Sequence, residues 1–252
     1  MIPLREQEYI RERFAQELEG RVRIDHFTQK ASALYVPGRE ECATCEQTGQ
    51  LVEELAALSE KVSLTIHELS SAPEEAKKLR VDKVPGTVVR GPANRPLRFF
   101  GIPAGNEFPN FIEAIIAASK TKQELGPETA RQLKKLKDNV SIAVYVTPTC
   151  PYCPGVVRAA YRLALASAHI DATAVEIGEF PRIAQALGIR GVPMTVINDR
   201  SAIAGAIDEA GLLEAALKAA EGGPLSAPGA HAGATSAVAQ SGAPHSSIVL
   251  PR

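Results

Sequence analysis

All four cysteines of this chain fall into two Cys-x-x-Cys pairs, Cys42-Ala43-Thr44-Cys45 and Cys150-Pro151-Tyr152-Cys153. Thiols three positions apart can meet at one sulfur, as reversible disulfide chemistry requires. Before the second pair, the apolar run 141–146 reads as a strand; after it, 154–165 reads as a helix. A cysteine at such a junction faces unpaired helical N–H groups and the positive end of the helix dipole, which favour its thiolate. A secreted scaffold would spread its cysteines to staple distant segments, and none is left over here. Ribbon-type zinc sites keep two such pairs about 15–20 residues apart. These lie 108 apart, and the five histidines (His26, His67, His169, His231, His245) show no ligand spacing. No metal is expected.

The elements that must position the pairs occur twice. A charged amphipathic helix over 5–18 carries Tyr9, Ile10, Phe14 and Leu18 on one face, and Gly20 ends it. Val22, Ile24 and His26 suggest a strand, and 31–36 a second one leading to Cys42. A helix through Leu51, Val52, Leu55 and Leu58 follows, then a strand over 62–66 and a short helix from Pro73 to Leu79. Val84-Pro85 opens a strand, 96–100 returns from it, Gly101 closes the hairpin, and 106–118 is a closing helix. The second half repeats the order: helix 128–135, strand 140–146, cysteine pair with its helix, strand 172–177 and a short helix from Pro181. Val192-Pro193 then opens a strand, 201–203 returns, Gly205 turns and 208–219 closes. Cys42 to Cys150 is 108 residues, and so is Pro85 to Pro193. One shared offset for two motifs marks an internal duplication, and alternating strands and helices mark an α/β class.

At 252 residues, with 45% apolar and 23% charged residues, the chain is expected to be globular with two domains. The expected division is 1–119, 120–221 and a Gly/Ala/Ser/Pro-rich tail, 222–252, too poor in apolar residues to fold. A net charge of −1 without a basic block argues against nucleic acid. No apolar run approaches the roughly 18 residues of a membrane span. The charged start, Met1 to Glu8, lacks a signal-peptide pattern, so a cytoplasmic location is expected.

The order strand, Cys-x-x-Cys, helix, strand, helix, Val-Pro, strand, strand, Gly, helix resembles the thioredoxin fold, twice over. Cys150-Pro151-Tyr152-Cys153 is the tetrapeptide typical of glutaredoxins. Two fused units of this kind look like the glutaredoxin-like protein disulfide oxidoreductases, over residues 5 to about 221. The resemblance implies two tandem thioredoxin-like units, each a central mixed β-sheet flanked by helices, packed as one molecule. It implies that Pro85 and Pro193 are cis and that, with Val84, Val192, Pro151 and Tyr152, they line substrate grooves. The chain departs from thioredoxins in having no tryptophan.

The implied chemistry is dithiol–disulfide exchange. Cys150 attacks a substrate disulfide, and Cys153 resolves the mixed disulfide. Cys42 and Cys45 do the same, giving the redox-active disulfides Cys42–Cys45 and Cys150–Cys153. Glu40, Glu41 and Glu46 flank the first pair, whereas Thr147-Pro148-Thr149 is neutral. Negative neighbours oppose a thiolate, so Cys150 is expected to be the more reactive. The function implied is reduction, and in the other direction formation or isomerisation, of protein disulfides. No cofactor is expected to be bound, and the implied electron donor is a thioredoxin-reductase-like flavoprotein using a nicotinamide cofactor. Two alternatives stand beside it: a relay dedicated to a peroxidase, with a peroxiredoxin as partner, and a non-catalytic module holding unfolded chains.

Overall fold

The computed structural model describes residues 2–30 and 41–222. Helix α1 (Leu4–Glu17) buries Ile10 and Phe14. The first repeat then runs β1 (Val22–Thr28), α2 (Cys45–Ala56), β2 (Val62–Glu68), α3 (Pro73–Leu79), β3 (Gly86–Arg90), β4 (Leu97–Phe100) and α4 (Glu107–Ser119). After α5 (Pro127–Leu133), the second runs β5 (Val140–Val146), α6 (Cys153–Ala166), β6 (Ile170–Glu176), α7 (Pro181–Ala186), β7 (Met194–Ile197), β8 (Ser201–Ala204) and α8 (Glu209–Ala220). A 3-10 turn, Ile177–Glu179, lies between β6 and α7. The strand expected over 31–36 lies outside the described residues. Among the described residues, no helix is long and apolar enough to cross a membrane.

The two mixed sheets join into one. Its eight strands run in the order β2-β1-β3-β4-β6-β5-β7-β8, and the seam is a parallel pairing of β4 with β6. Within each repeat the first two strands are parallel and the next two antiparallel. β1 and β5 therefore end at the same rim of the sheet, and β3 and β7 begin there. Packing divides by face. One face buries Ile24, Val89, Leu97, Ile142, Val144 and Ala172 beneath α1, α2, α4, α6 and α8. The other buries Phe27, Val88, Phe100, Tyr145, Val175 and Val196 with residues of α3 and the α7 region.

The 108-residue offset holds from the cysteine pairs to β3 and β7; it shortens to 104 between β4 and β8 and lengthens ahead of the cysteines. β1 stands 118 residues before β5, although β2 and β6, and β3 and β7, keep 108. Ten extra residues thus separate β1 from Cys42. Pairing fixes the true equivalences: His26 stands opposite Ile66 and Thr87, and Val144 opposite Ala174 and Thr195. His26, on the strand the sequence marked only weakly, is the counterpart of Val144.

Candidate active sites on one rim

Each cysteine pair sits where a strand leaves the shared rim and a helix begins. Cys45 opens α2 and Cys153 opens α6. Both pairs are disulfide-bonded, with Cα–Cα separations of 5.5 and 5.6 Å. The second cysteine is the deeper in each: Cys45 is buried beneath a half-buried Cys42, and Cys153 is 0% exposed against 7% for Cys150. The first sulfur is thus the one an incoming disulfide meets. In the second site, the Cys153 N–H donates to Cys150 Sγ at 3.1 Å. This is one of the N–H groups a helix start leaves unpaired, aimed at the sulfur that would carry charge. The helix opens at Cys153, one residue before the 154 expected of it. Pro154, not Pro151, occupies its first turn, and Pro151 and Tyr152 stand exposed on the loop before it.

The Val84–Pro85 and Val192–Pro193 peptide bonds are cis. Both prolines are buried at the rim, just before β3 and β7. Their carbonyls accept from the turn glycines Gly101 and Gly205, at 2.8 and 2.9 Å. Counting across β1, β3, β4, β6 and β5, four strand spacings of about 4.8 Å separate the strands feeding the two sites, roughly 19 Å. The rim therefore carries two disulfides, two cis-prolines and two helix starts facing one way.

Three further groups near these sites were not singled out by the sequence. Glu179, from the turn after β6, accepts from Thr44 Oγ1 inside the first cysteine pair and from the Ile102 N–H at 2.6 Å. A carboxylate of the second repeat thus holds the residue preceding α2. Glu107 lies buried at the start of α4, which packs on α6. Asn110 donates to its Oε2 at 2.9 Å, while Oε1 has no partner. Burial pushes this carboxyl up to about 7, against the Asn110 bond and the charge of Arg158. The same segment touches the second site, since the Asn106 N–H donates to Pro148 O at 2.9 Å. Gly105 is needed there: its φ is 58°, and a Cβ would come within 2.4 Å of that carbonyl. The third group is His26. Among the described residues, no group of three or more His, Cys, Asp or Glu side chains could hold a metal ion.

A strand-to-helix dithiol beside a cis-proline, built twice on one sheet, defines a tandem thioredoxin-like protein of the dithiol–disulfide exchange class. The thioredoxin domain family matches residues 34–113 and 140–218, and the chain belongs to that family. It is similar to a protein disulfide oxidoreductase from Aeropyrum pernix K1, at 28% identity and a TM-score of 0.77, covering 88% of this chain and 95% of that one. The N-terminal domain of the alkylhydroperoxide reductase AhpF of Enterococcus faecalis shares the fold, with 23% identity and a TM-score of 0.75 over 86% and 100% of the two chains. Among curated proteins, the F subunit of alkyl hydroperoxide reductase in Xanthomonas campestris pv. phaseoli is 29% identical over 148 residues, which is 59% of this chain and 26% of that protein. An NADH dehydrogenase of Bacillus subtilis is 26% identical over 151 residues, 60% of this chain and 28% of that protein. The chain spans about a quarter of the length of these two relatives.

Proposed function

We propose that the protein exchanges its two dithiols with disulfides of other proteins, reducing them and, in the reverse direction, forming or isomerising them. The observation that carries this reading is the second site. Cys150 receives a helix-terminal N–H on its sulfur, and Cys153 lies fully buried beneath it. Cys150 attacks the substrate disulfide and forms a mixed disulfide. Cys153 then attacks Cys150, the substrate leaves as a dithiol, and the pair is left oxidised. The cis-prolines Pro85 and Pro193, with Val84, Val192, Pro151 and Tyr152, line the substrate grooves. Tyr152, 68% exposed, is a surface for the incoming chain. Electrons come from a flavoprotein that draws on a nicotinamide cofactor, in the cytoplasm. The unit boundaries are 1–119 and 120–221, with 222–252 as a tail.

Cys150 is the working nucleophile, and Cys42 the less acidic one. Glu41 and Glu46 flank the first pair, and Glu179 adds a carboxylate at Thr44. The test is reduction of insulin disulfides with dithiothreitol by wild type, Cys42→Ser and Cys150→Ser. Cys150→Ser should abolish turnover and Cys42→Ser should weaken it. Turnover at the wild-type rate in both variants overturns the reading and leaves a non-catalytic binding module.

The likeness to the F subunit of alkyl hydroperoxide reductase favours a second reading, a relay that passes electrons from a flavoprotein to one peroxidase. Rates on several unrelated protein disulfides separate the two: one rapid substrate supports the relay, many support the oxidoreductase.

A further inference from the structure

The two repeats fill one equivalent position with different chemistry. One turn beyond the second cysteine, the helix carries Gly49 in the first repeat and Val157 in the second, 108 residues apart. The strand beneath carries His26 in the first and Val144 in the second. Val144 and Val157 are both 0% exposed and need nothing but packing. His26 is equally buried, and its Nδ1 lies 3.0 Å from Thr87 Oγ1. Its Nε2 has no partner, and lies 3.9 Å from where a Cβ on Gly49 would stand. Residues four apart on a helix have Cβ atoms about 5–6 Å apart, and side chains lean toward the N-terminus. The imidazole therefore stands beside the turn of α2 that carries Cys45. An unpaired buried nitrogen and a mid-helix glycine each cost stability. The sister position does without either.

We propose that His26 is the proton acceptor for the Cys45 thiol when the first pair passes from dithiol to disulfide. This rests on the dithiol-exchange reading. With Nδ1–H donating to Thr87, the Nε2 lone pair faces α2. Cys42 thiolate attacks the substrate disulfide, forms a mixed disulfide and releases one substrate thiolate, which takes a proton from solvent. The Cys45 S–H then gives its proton to Nε2. The resulting thiolate attacks Cys42 Sγ, forming the Cys42–Cys45 bond and breaking the mixed disulfide. The second substrate sulfur leaves as a thiolate, and the proton on His26 passes to it or to solvent. Two electrons move from the cysteine pair to the substrate, and both protons are accounted for.

The surroundings keep the ring neutral in the disulfide state. Burial first, and then the charge of His67 on β2, hold His26 down to about 4. β3 contributes the neutral Thr87, α2 buries only Cys45, Thr48, Val52 and Leu55, and Glu107 on α4 has Asn110 and Arg158 for partners. A thiolate at Cys45 would be the anion that stabilises the protonated ring.

The test uses the full chain with Cys150→Ser and Cys153→Ser, so that only the first pair works. Cys42 is loaded with thionitrobenzoate, and its release by Cys45 is followed against pH. With His26 present, release should already be fast at pH 6–7. In His26→Val, which installs the residue of the sister position, it should slow about a hundredfold at pH 7 and then rise with hydroxide. His26→Asn keeps a hydrogen-bonding group for Thr87 without a titrating nitrogen, and should behave like His26→Val. A wild-type profile in His26→Asn, whatever His26→Val does, overturns the proposal and leaves a packing role. Failure of the underlying dithiol reading looks different, because no thionitrobenzoate would then be released even with His26 in place.

Discussion

Glu179 belongs to the second repeat by sequence and to the first site by contact. Its carboxylate accepts from Thr44, between the two cysteines of the first pair, and a negative charge there opposes ionisation of Cys42. Glu179→Gln keeps the size and removes the charge. Iodoacetamide should then label reduced Cys42 about three- to tenfold faster at pH 7, with Cys150 unchanged, since a tenfold change answers to one pKa unit. An unchanged Cys42 rate would mean that solvent screens the carboxylate. Glu107 and His26 give opposite pH signatures. The folded carboxyl, raised from 4.5 to about 7, binds protons more tightly than the unfolded one. Its contribution is complete below pH 4.5 and is lost as pH rises through 7, a swing of about 3 kcal/mol. Glu107→Gln should therefore match wild type in urea at pH 4.5 and exceed it at pH 8. His26, lowered from 6.5 to about 4, stabilises above pH 6.5 and ceases to as pH falls through 4. Urea midpoints at pH 7 and 4 should fall further apart in wild type than in His26→Asn.

Among the elements, the decisive contact is the seam between β4 and β6. Leu97 to Phe100 pair in parallel with Ala172 to Val175, so the backbone of one repeat completes the sheet of the other. Side chains lock the same register. Arg98 donates to Leu79 O at 2.6 Å and to Asp171, Arg80 meets Asp171 at 2.9 Å, and Tyr161 OH donates to Arg98 O at 2.6 Å. Asp171→Ala would leave the buried Arg98 guanidinium without its carboxylate. A loss of about 2–3 kcal/mol is expected in urea unfolding, below the full cost of a broken buried pair because Asp171 is a quarter exposed. Breaking the exposed Arg131–Glu128 pair should change nothing measurable. This scale also shows what the sequence could carry. β5 occupies the 140–146 expected of it, and α3 the expected Pro73–Leu79, because apolar alternation and a helix-opening proline are local signals. The slot of His26 was hidden by ten extra residues between β1 and Cys42, which broke the register that holds from the cysteine pairs to β3 and β7. Glu107 and Glu179 were hidden for another reason: they reach their sites only through the order of strands across the seam, and no local pattern encodes that.

At the scale of the whole molecule, the repeats are two by sequence and one by packing. A chain cut at 119/120 would strip the second repeat of β4, baring the β6 edge, and of α4, baring the flank of α6. An uncovered strand edge pairs with whatever strand it meets. Residues 120–222 expressed alone should elute as dimers or larger species on size exclusion, whereas the full chain should not add copies through this edge. A monomeric, cooperatively unfolding fragment would show that the seam is dispensable. The seam also sets how the architecture can grow. Repeats related by a two-fold axis close on each other, but here the second is reached from the first by a step along the sheet, β4 handing on to β6 as β8 could to the next. Such a step has no built-in end. Applied once more it would tile a third unit beside the second, and the active sulfurs would stand like evenly spaced teeth, roughly 19 Å apart, along a single comb.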